Sequence, residues 1–275
     1  MEAFVQVNNR YVTIQPWSES RPQLVVGFTT RDGGTSKSPF SSLNMGFHVG
    51  DEWESVLQNR QLVANDLNIS LENWIGTEQV HEADIQKVTM EDAGKGSRSL
   101  KTAIAHTDGI YTNEKDLLLT SLYADCVPLY FYSPSHEVVG LAHAGWRGTV
   151  KNIGAKMVQV FKTQENIRVE DIHVAIGPCI SKQAYEVDQK VIDEVTKSLP
   201  VDNGNLPYET IGNNKYLLDL REINKNQLIE VGILPDHIIN SSICTTLDTR
   251  MFSHRAENGK TGRMMSFIGI KSVVK

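Results

Sequence analysis

Between Leu122 and Thr149 the chain reads LYADCVPLYFYSPSHEVVGLAHAGWRGT, and this stretch narrows the fold more than any other. Two short apolar runs, Val127 to Tyr132 and Val138 to Ala142, are separated by the turn residues Ser133, Pro134 and Ser135. The pattern predicts two strands with a tight connection. Cys126, preceded by Asp125, stands where the first strand begins, and His143 where the second ends. Antiparallel pairing makes those two ends neighbours. Ala142, Ala144 and Gly145 leave room for a group to approach the backbone, and Arg147 adds a permanent cation beside it.

Strand-like and helix-like segments alternate along the rest of the chain. FVQV, YVTI and LVVGFTT read as strands and lead into the loop TTRDGGTSKSPFSSLNMG, where Gly33, Gly34, Pro39 and Gly46 break any regular element. So long an irregular loop points to function. Asp51 is expected to cap a helix reaching Leu67, with Trp53, Val56, Val63 and Leu67 on its inner face. Trp74 to Thr77 and Ile85 to Val88 read as strands flanking EQVHEAD, residues 91–102 as a mobile loop, and Gly109 to Thr112 and Leu117 to Ala124 as strands. A helix is expected from Thr149 to Phe161, a strand from Ile172 to Ile176, and a helix capped by Asp188 with Val191, Val195 and Leu199 inward. A turn-rich loop over residues 200–214 follows, then a helix capped by Asp219 and stopped by Gly232. Ile238 to Ile243 and Met264 to Ile270 close the chain as strands. With no repeat and no linker-like composition, the chain reads as a single α/β domain over residues 1–275 with a mixed sheet.

Bulk properties exclude several classes. The net charge is −6, from 33 acidic and 27 basic residues, which argues against a nucleic-acid binder working through bulk charge. No apolar run approaches the ~18 residues that span a membrane. MEAFVQVNNR has no apolar core of a secretory signal, and three cysteines make no disulfide framework, so a reduced, cytoplasmic protein is expected.

His81, in TEQVHEAD, joins Cys126 and His143 to give a thiolate and two imidazoles. Such a set suits zinc, and three protein ligands leave a position for water or substrate. The spacing is not that of a zinc finger, and a lone Cys or His in a strand is more often ordinary core. Cys179 and Cys244 read as small buried hydrophobes, and the remaining histidines carry no ligand spacing. Gly33-Gly34 matches no phosphate-loop fingerprint. Asp125 reads equally as a general base or as a turn cap.

TRDGGTS with SLNMG, HVGD, EQVH, TDGIYT, ADCVPL, HAGWRGT, IGPCI with YEV, LDL, CT, and FSHR with TGRM follow one another in order. This resembles the YfiH/YlmD family, formerly described as multicopper polyphenol oxidoreductases or laccases, and in particular its Bacillus-type purine nucleoside phosphorylases. The resemblance runs from about Thr29 to Met265, and ADCVPL with HAGWRG is its most specific part. It implies an α/β/β/α layered fold of mixed sheets covered by helices, with a catalytic zinc on His81, Cys126 and His143. It also implies phosphorolysis of adenosine, inosine, guanosine and methylthioadenosine, and deamination of adenosine. Thr107, His254 and Ala256 depart from the family pattern, while Arg255 keeps the first Arg of its motif.

These reactions assign roles by side-chain chemistry. Deamination needs a water made nucleophilic near neutral pH and a proton shuttle, for which Asp125 is the candidate. Phosphorolysis needs a dianion held near the anomeric carbon. Arg147 and Arg31 suit the phosphate, because a guanidinium matches it bidentately. Asn44, Gln79 and Arg255 are candidates for the base or ribose. Other readings stay open: a thiol hydrolase with Cys126 as nucleophile and His143 as base, a zinc-stabilised binding module, and a laccase. The laccase reading, with copper in place of zinc, lacks the HxH pairs of a trinuclear cluster and the local Cys and His spacing of a blue-copper centre.

Overall fold

Residues 2–199 and 206–273 are described by a computed structural model. In chain order the strands are β1 (Phe4–Gln6), β2 (Tyr11–Ile14), β3 (Leu24–Thr29), β4 (Trp74–Gly76), β5 (Ile85–Lys87), β6 (Gly109–Thr112), β7 (Leu118–Tyr123), β8 (Val127–Ser133), β9 (Val138–Ala144), β10 (His173–Ile176), β11 (Glu186–Asp188), β12 (Tyr208–Gly212), β13 (Lys215–Leu218), β14 (Ile238–Asn240) and β15 (Met264–Ile270). The α-helices are α1 (Gln15–Ser20), α2 (Trp53–Leu67), α3 (Trp146–Val150), α4 (Ile153–Gln164), α5 (Gln189–Ser198) and α6 (Leu220–Glu230). Two six-stranded sheets form, in the orders β1-β2-β3-β15-β7-β4 and β14-β10-β8-β9-β6-β5, beside a three-stranded sheet β11-β13-β12. Both large sheets are mixed. β4 runs parallel to β7, β5 to β6 and β14 to β10, among antiparallel neighbours.

The continuous apolar runs are explained by burial on both faces. Side chains alternate across a strand, so each central strand feeds two cores. Tyr130 and Leu141 of the second sheet meet Phe28, Tyr123 and Ile268 of the first. Their neighbours Leu129, Phe131 and Ala142 point the other way, onto Met157 and Phe161 of α4 and Leu228 of α6. On the far side, Leu118, Met265 and Phe267 pack on Val63 and Leu67 of α2. The layers therefore run α/β/β/α. Each large apolar side chain removed from water contributes roughly 1.5–3 kcal/mol. Tyr130 also donates its hydroxyl to the Gly27 carbonyl at 2.9 Å, a polar tie between the sheets. No helix among the described residues is long and apolar enough to cross a membrane.

The two strands predicted around the Ser133–Ser135 turn form a hairpin that pairs antiparallel, with Pro128 opposite His143, which brings the two ends together. Asp188 and Asp219 cap α5 and α6 through the amides of Val191 and Glu222, and Gly232 follows α6 in the left-handed region at φ +104°. Elsewhere the structure corrects the expectation. Asp51 does not cap α2, because its carboxylate is taken by the Asn44 side-chain amide and the Glu52 amide. Trp53 stands half-exposed, its indole N–H bonded to the Arg98 carbonyl. The expected helix over 149–161 is two helices. Gln227 of α6 donates to the Thr149 carbonyl, an acceptor that a continuous helix would need, and Asn152 turns left-handed at φ 58°. Residues 91–102 are held down by Arg60, which donates to the carbonyls of Gly96 and Ser97. On α5 it is Ile192 and Val195 that are buried. Within the expected loop over 200–214, residues 208–212 form a strand joined to β13 through Asn213 and Asn214, both at positive φ, and residues 200–205 lie outside the described residues.

Candidate active site

At one end of the sandwich the chain crosses between the large sheets three times, and two of these crossings deliver a ligand-type side chain while the third, residues 241–263, carries Arg255 and Arg263. Residues 77–84 lead from β4 to β5 and carry His81; residues 124–126 lead from β7 to β8 and carry Cys126. His143 reaches the same place from the end of β9. The ligand atoms of these residues all lie within 4.8 Å of one another. Gly145 closes the turn after β9. A Cβ there would come within 3.1 Å of the Cys126 sulfur and 3.2 Å of the His81 ring, so the cluster would have to give by a few tenths of an ångström to admit a side chain.

Asp108, immediately before β6, underlies the cluster. Its Oδ1 accepts the His143 Nδ1–H at 2.8 Å and the His81 amide at 3.1 Å. Its Oδ2 accepts the amides of Val80 at 3.1 Å and Glu82 at 2.9 Å. Burial alone would raise this carboxyl's pKa, but the His143 ring and the backbone donors hold it below the ordinary value. A carboxylate only accepts, so Nδ1 of His143 carries the proton and Nε2 is left for a ligand. Burial also opposes ionising Cys126, yet His143 and His81 beside it lower its pKa and favour the thiolate. A thiolate and two imidazoles at this spacing can hold a metal ion.

The cluster forms one wall of a cavity of about 640 Å³. Arg147, Arg255 and Arg263 also line it, and none of them has a carboxylate partner among the described residues. Arg147 lies over the Trp146 ring at 4.5 Å, and Arg255 over Tyr185 at 5.3 Å while donating to the Glu186 carbonyl. Gln79 reaches the cavity with its amide paired both ways to the Leu122 backbone. Asp125, at φ 85°, accepts from Thr245 at 2.7 Å, Ser253 at 3.1 Å and the Arg255 amide at 2.7 Å. Its carboxylate thus clamps the segment that carries Arg255. Two sequence candidates stand outside the cavity wall. Arg31 pairs with Glu257 and lies over Phe252; Asn44 is fully buried, bonded to Gly46, Asp51 and the Arg263 amide.

Sequence reasoning missed Asp108, His48 and Arg263. The motif TDGIYT contains Asp108, and an acid next to a strand that pairs with a ligand strand was the available signal. His48 is held neutral: burial first, then the Arg263 and Arg60 guanidiniums, lower its pKa to about 4.

Residues 25–271 match the family model described as multi-copper polyphenol oxidoreductase laccase. The chain belongs to this family, that of the YfiH/YlmD proteins. Within the family it is 45% identical over 262 residues to purine nucleoside phosphorylase YlmD of Bacillus subtilis, covering 94% of each chain. It is 48% identical over 246 residues to purine nucleoside phosphorylase YlmD of Geobacillus stearothermophilus, covering 89% of each. The crystal structure of YlmD from Geobacillus stearothermophilus superposes with a TM-score of 0.95 at 44% identity, covering 99% of this chain and 100% of that one.

Proposed function

We propose that the chain is a zinc-dependent purine nucleoside phosphorylase that acts on adenosine, inosine, guanosine and methylthioadenosine and also deaminates adenosine. The observation that carries this reading is the convergence of His81, Cys126 and His143 in the wall of a cavity that also presents Arg147 without a carboxylate partner among the described residues. The names of the curated relatives support the purine nucleoside phosphorylase part of this reading. The cavity falls in the ~300–1,000 Å³ range of small-molecule sites. The donor set fits a single zinc ion: one soft thiolate, two imidazoles and an aligned His143. Bound zinc would supply Lewis acidity and make a water nucleophilic near neutral pH.

The chain's own groups serve the rest. In phosphorolysis the bond from the anomeric carbon to the purine nitrogen breaks, its electron pair leaves with the purine, and a phosphate oxygen bonds that carbon. Arg147 and Arg255, each resting on an aromatic ring, are placed to hold the dianion. His48 offers a neutral imidazole for hydrogen bonding to the nucleoside. Asp125 enters as the residue that holds the Arg255 segment. In deamination water bonds the purine carbon that bears the amine of adenosine, that carbon–nitrogen bond breaks, ammonia leaves, and phosphate takes no part.

Incubating adenosine with zinc-loaded protein should release adenine only when phosphate is present and form inosine with or without it, as followed by chromatography. Base release independent of phosphate would identify a hydrolase of nucleosides instead. A second reading rests on the line Cys126, His143, Asp108, which is also the arrangement of a thiol hydrolase. Metal analysis separates the two: zinc near one per chain, lost in Cys126→Ala, excludes a free thiolate nucleophile.

A further inference from the structure

We infer that Asp108 is a positioning residue for the metal site, and that one carboxylate aligns both histidine arms at once. The inference rests on the zinc reading above. The two arms belong to different parts of the chain, His81 to the crossing between β4 and β5 and His143 to β9. Both meet at Asp108, whose side chain is fully buried. The backbone adds a further link, since the His143 amide donates to the Asp108 carbonyl at 2.8 Å.

Each carboxylate oxygen accepts two of the four donors. Oδ1 takes the His143 Nδ1–H and the His81 amide; Oδ2 takes the amides of Val80 and Glu82. The second pair matters because His81 sits at φ 63°, a left-handed conformation that a non-glycine residue adopts at a cost. Three successive amides pointing at one anion form a nest that holds that backbone in place.

An uncharged isostere cannot reproduce this. Asparagine offers one oxygen and one amide group. If the amide group faced His143, Nδ1 would have to accept, the proton would move to Nε2, and the lone pair available to a metal there would be lost. If it faced Val80 and Glu82, donors would oppose donors and the His81 backbone would lose its anchor. With the amide group on the Oδ1 side both histidine arms are disturbed, because the His81 amide meets that side too; with it on the Oδ2 side the His81 arm is disturbed.

The test is a zinc competition titration against a chromophoric chelator, on folded wild-type protein and Asp108→Asn. The expected result is a ~10–100-fold weaker zinc Kd in the variant, the scale seen for lost partners of metal-bound histidines. Nitrogen-15 NMR of the zinc-loaded wild type should find the His143 proton on Nδ1, a measurement that stands even if the variant does not fold. Equal zinc affinity in wild type and variant would overturn the inference, as would a His143 proton on Nε2. Failure of the wild type to bind zinc would be a different result, ending the zinc reading and this inference with it.

Discussion

Arg147 is exposed and its side chain makes no hydrogen bond or ion pair among the described residues, yet the Trp146 ring holds its guanidinium at the cavity. A cation kept in place without a partner is suited to a passing anion. Arg147→Ala should raise the KM for phosphate roughly tenfold or more, on the scale of about 1.5–3 kcal/mol for a hydrogen bond to a charged group, with zinc content unchanged. A lowered Tm with normal phosphate kinetics would instead make Arg147 a brace for α3. His48 carries a pH prediction. With its folded pKa lowered to about 4 from an ordinary 6.5, the unfolded chain takes up a proton in that window that the folded protein refuses. The His48 contribution is therefore neutral above about pH 6.5 and destabilising as pH falls from there toward 4. The His48 ring resonances should not titrate between pH 7 and 5. A midpoint near 6.5 would show that the guanidiniums and burial do not act on it.

The elements that bring the site together are turns and strand ends, and their tolerances differ from those of the helices. Gly145 has ordinary backbone angles, φ −61° and ψ 172°, so alanine fits the conformation but crowds Cys126 and His81 at 3.1 and 3.2 Å. Gly145→Ala should weaken zinc binding, read by chelator competition, while thermal unfolding stays near wild type. Unchanged zinc affinity would mean that the cluster can shift to admit a methyl group. Asp219→Ala, by contrast, removes a helix cap and should cost ~0.5–2 kcal/mol in denaturant unfolding with zinc affinity unchanged.

What the sequence makes legible follows the same division. The two strands of the hairpin were readable because both apolar runs and the turn between them are local. His81, Cys126 and His143 were readable because their residue types carry the chemistry wherever they stand. The break at Asn152 was not, since Gln227 from α6, far along the chain, takes the Thr149 carbonyl. Nor was the allocation of β4 and β5 to different sheets, which is what makes EQVHEAD a crossing between them. Asp108 escaped notice for the same reason: its four side-chain donors come from two other segments. The loop residues Arg31 and Asn44 had suitable chemistry, but partners elsewhere in the fold hold them away from the cavity.

At the scale of the molecule, two sheets packed face to face give a sandwich, and one end of it collects three crossings, the triad and the cavity. Net charge is −6 overall, but Arg147, Arg255 and Arg263, none with a carboxylate partner among the described residues, line that cavity with Glu78 and Asp125 and offer cations to an anion there. The account's central claim is that this end uses phosphate to cleave nucleosides with the help of the His81, Cys126 and His143 site. Phosphorus-31 NMR of adenosine and inorganic phosphate incubated with zinc-loaded protein tests it most directly. A ribose 1-phosphate signal should grow with wild-type protein and be absent with folded His81→Ala. No such signal from the zinc-loaded wild type, or an equal signal from His81→Ala, would contradict the claim.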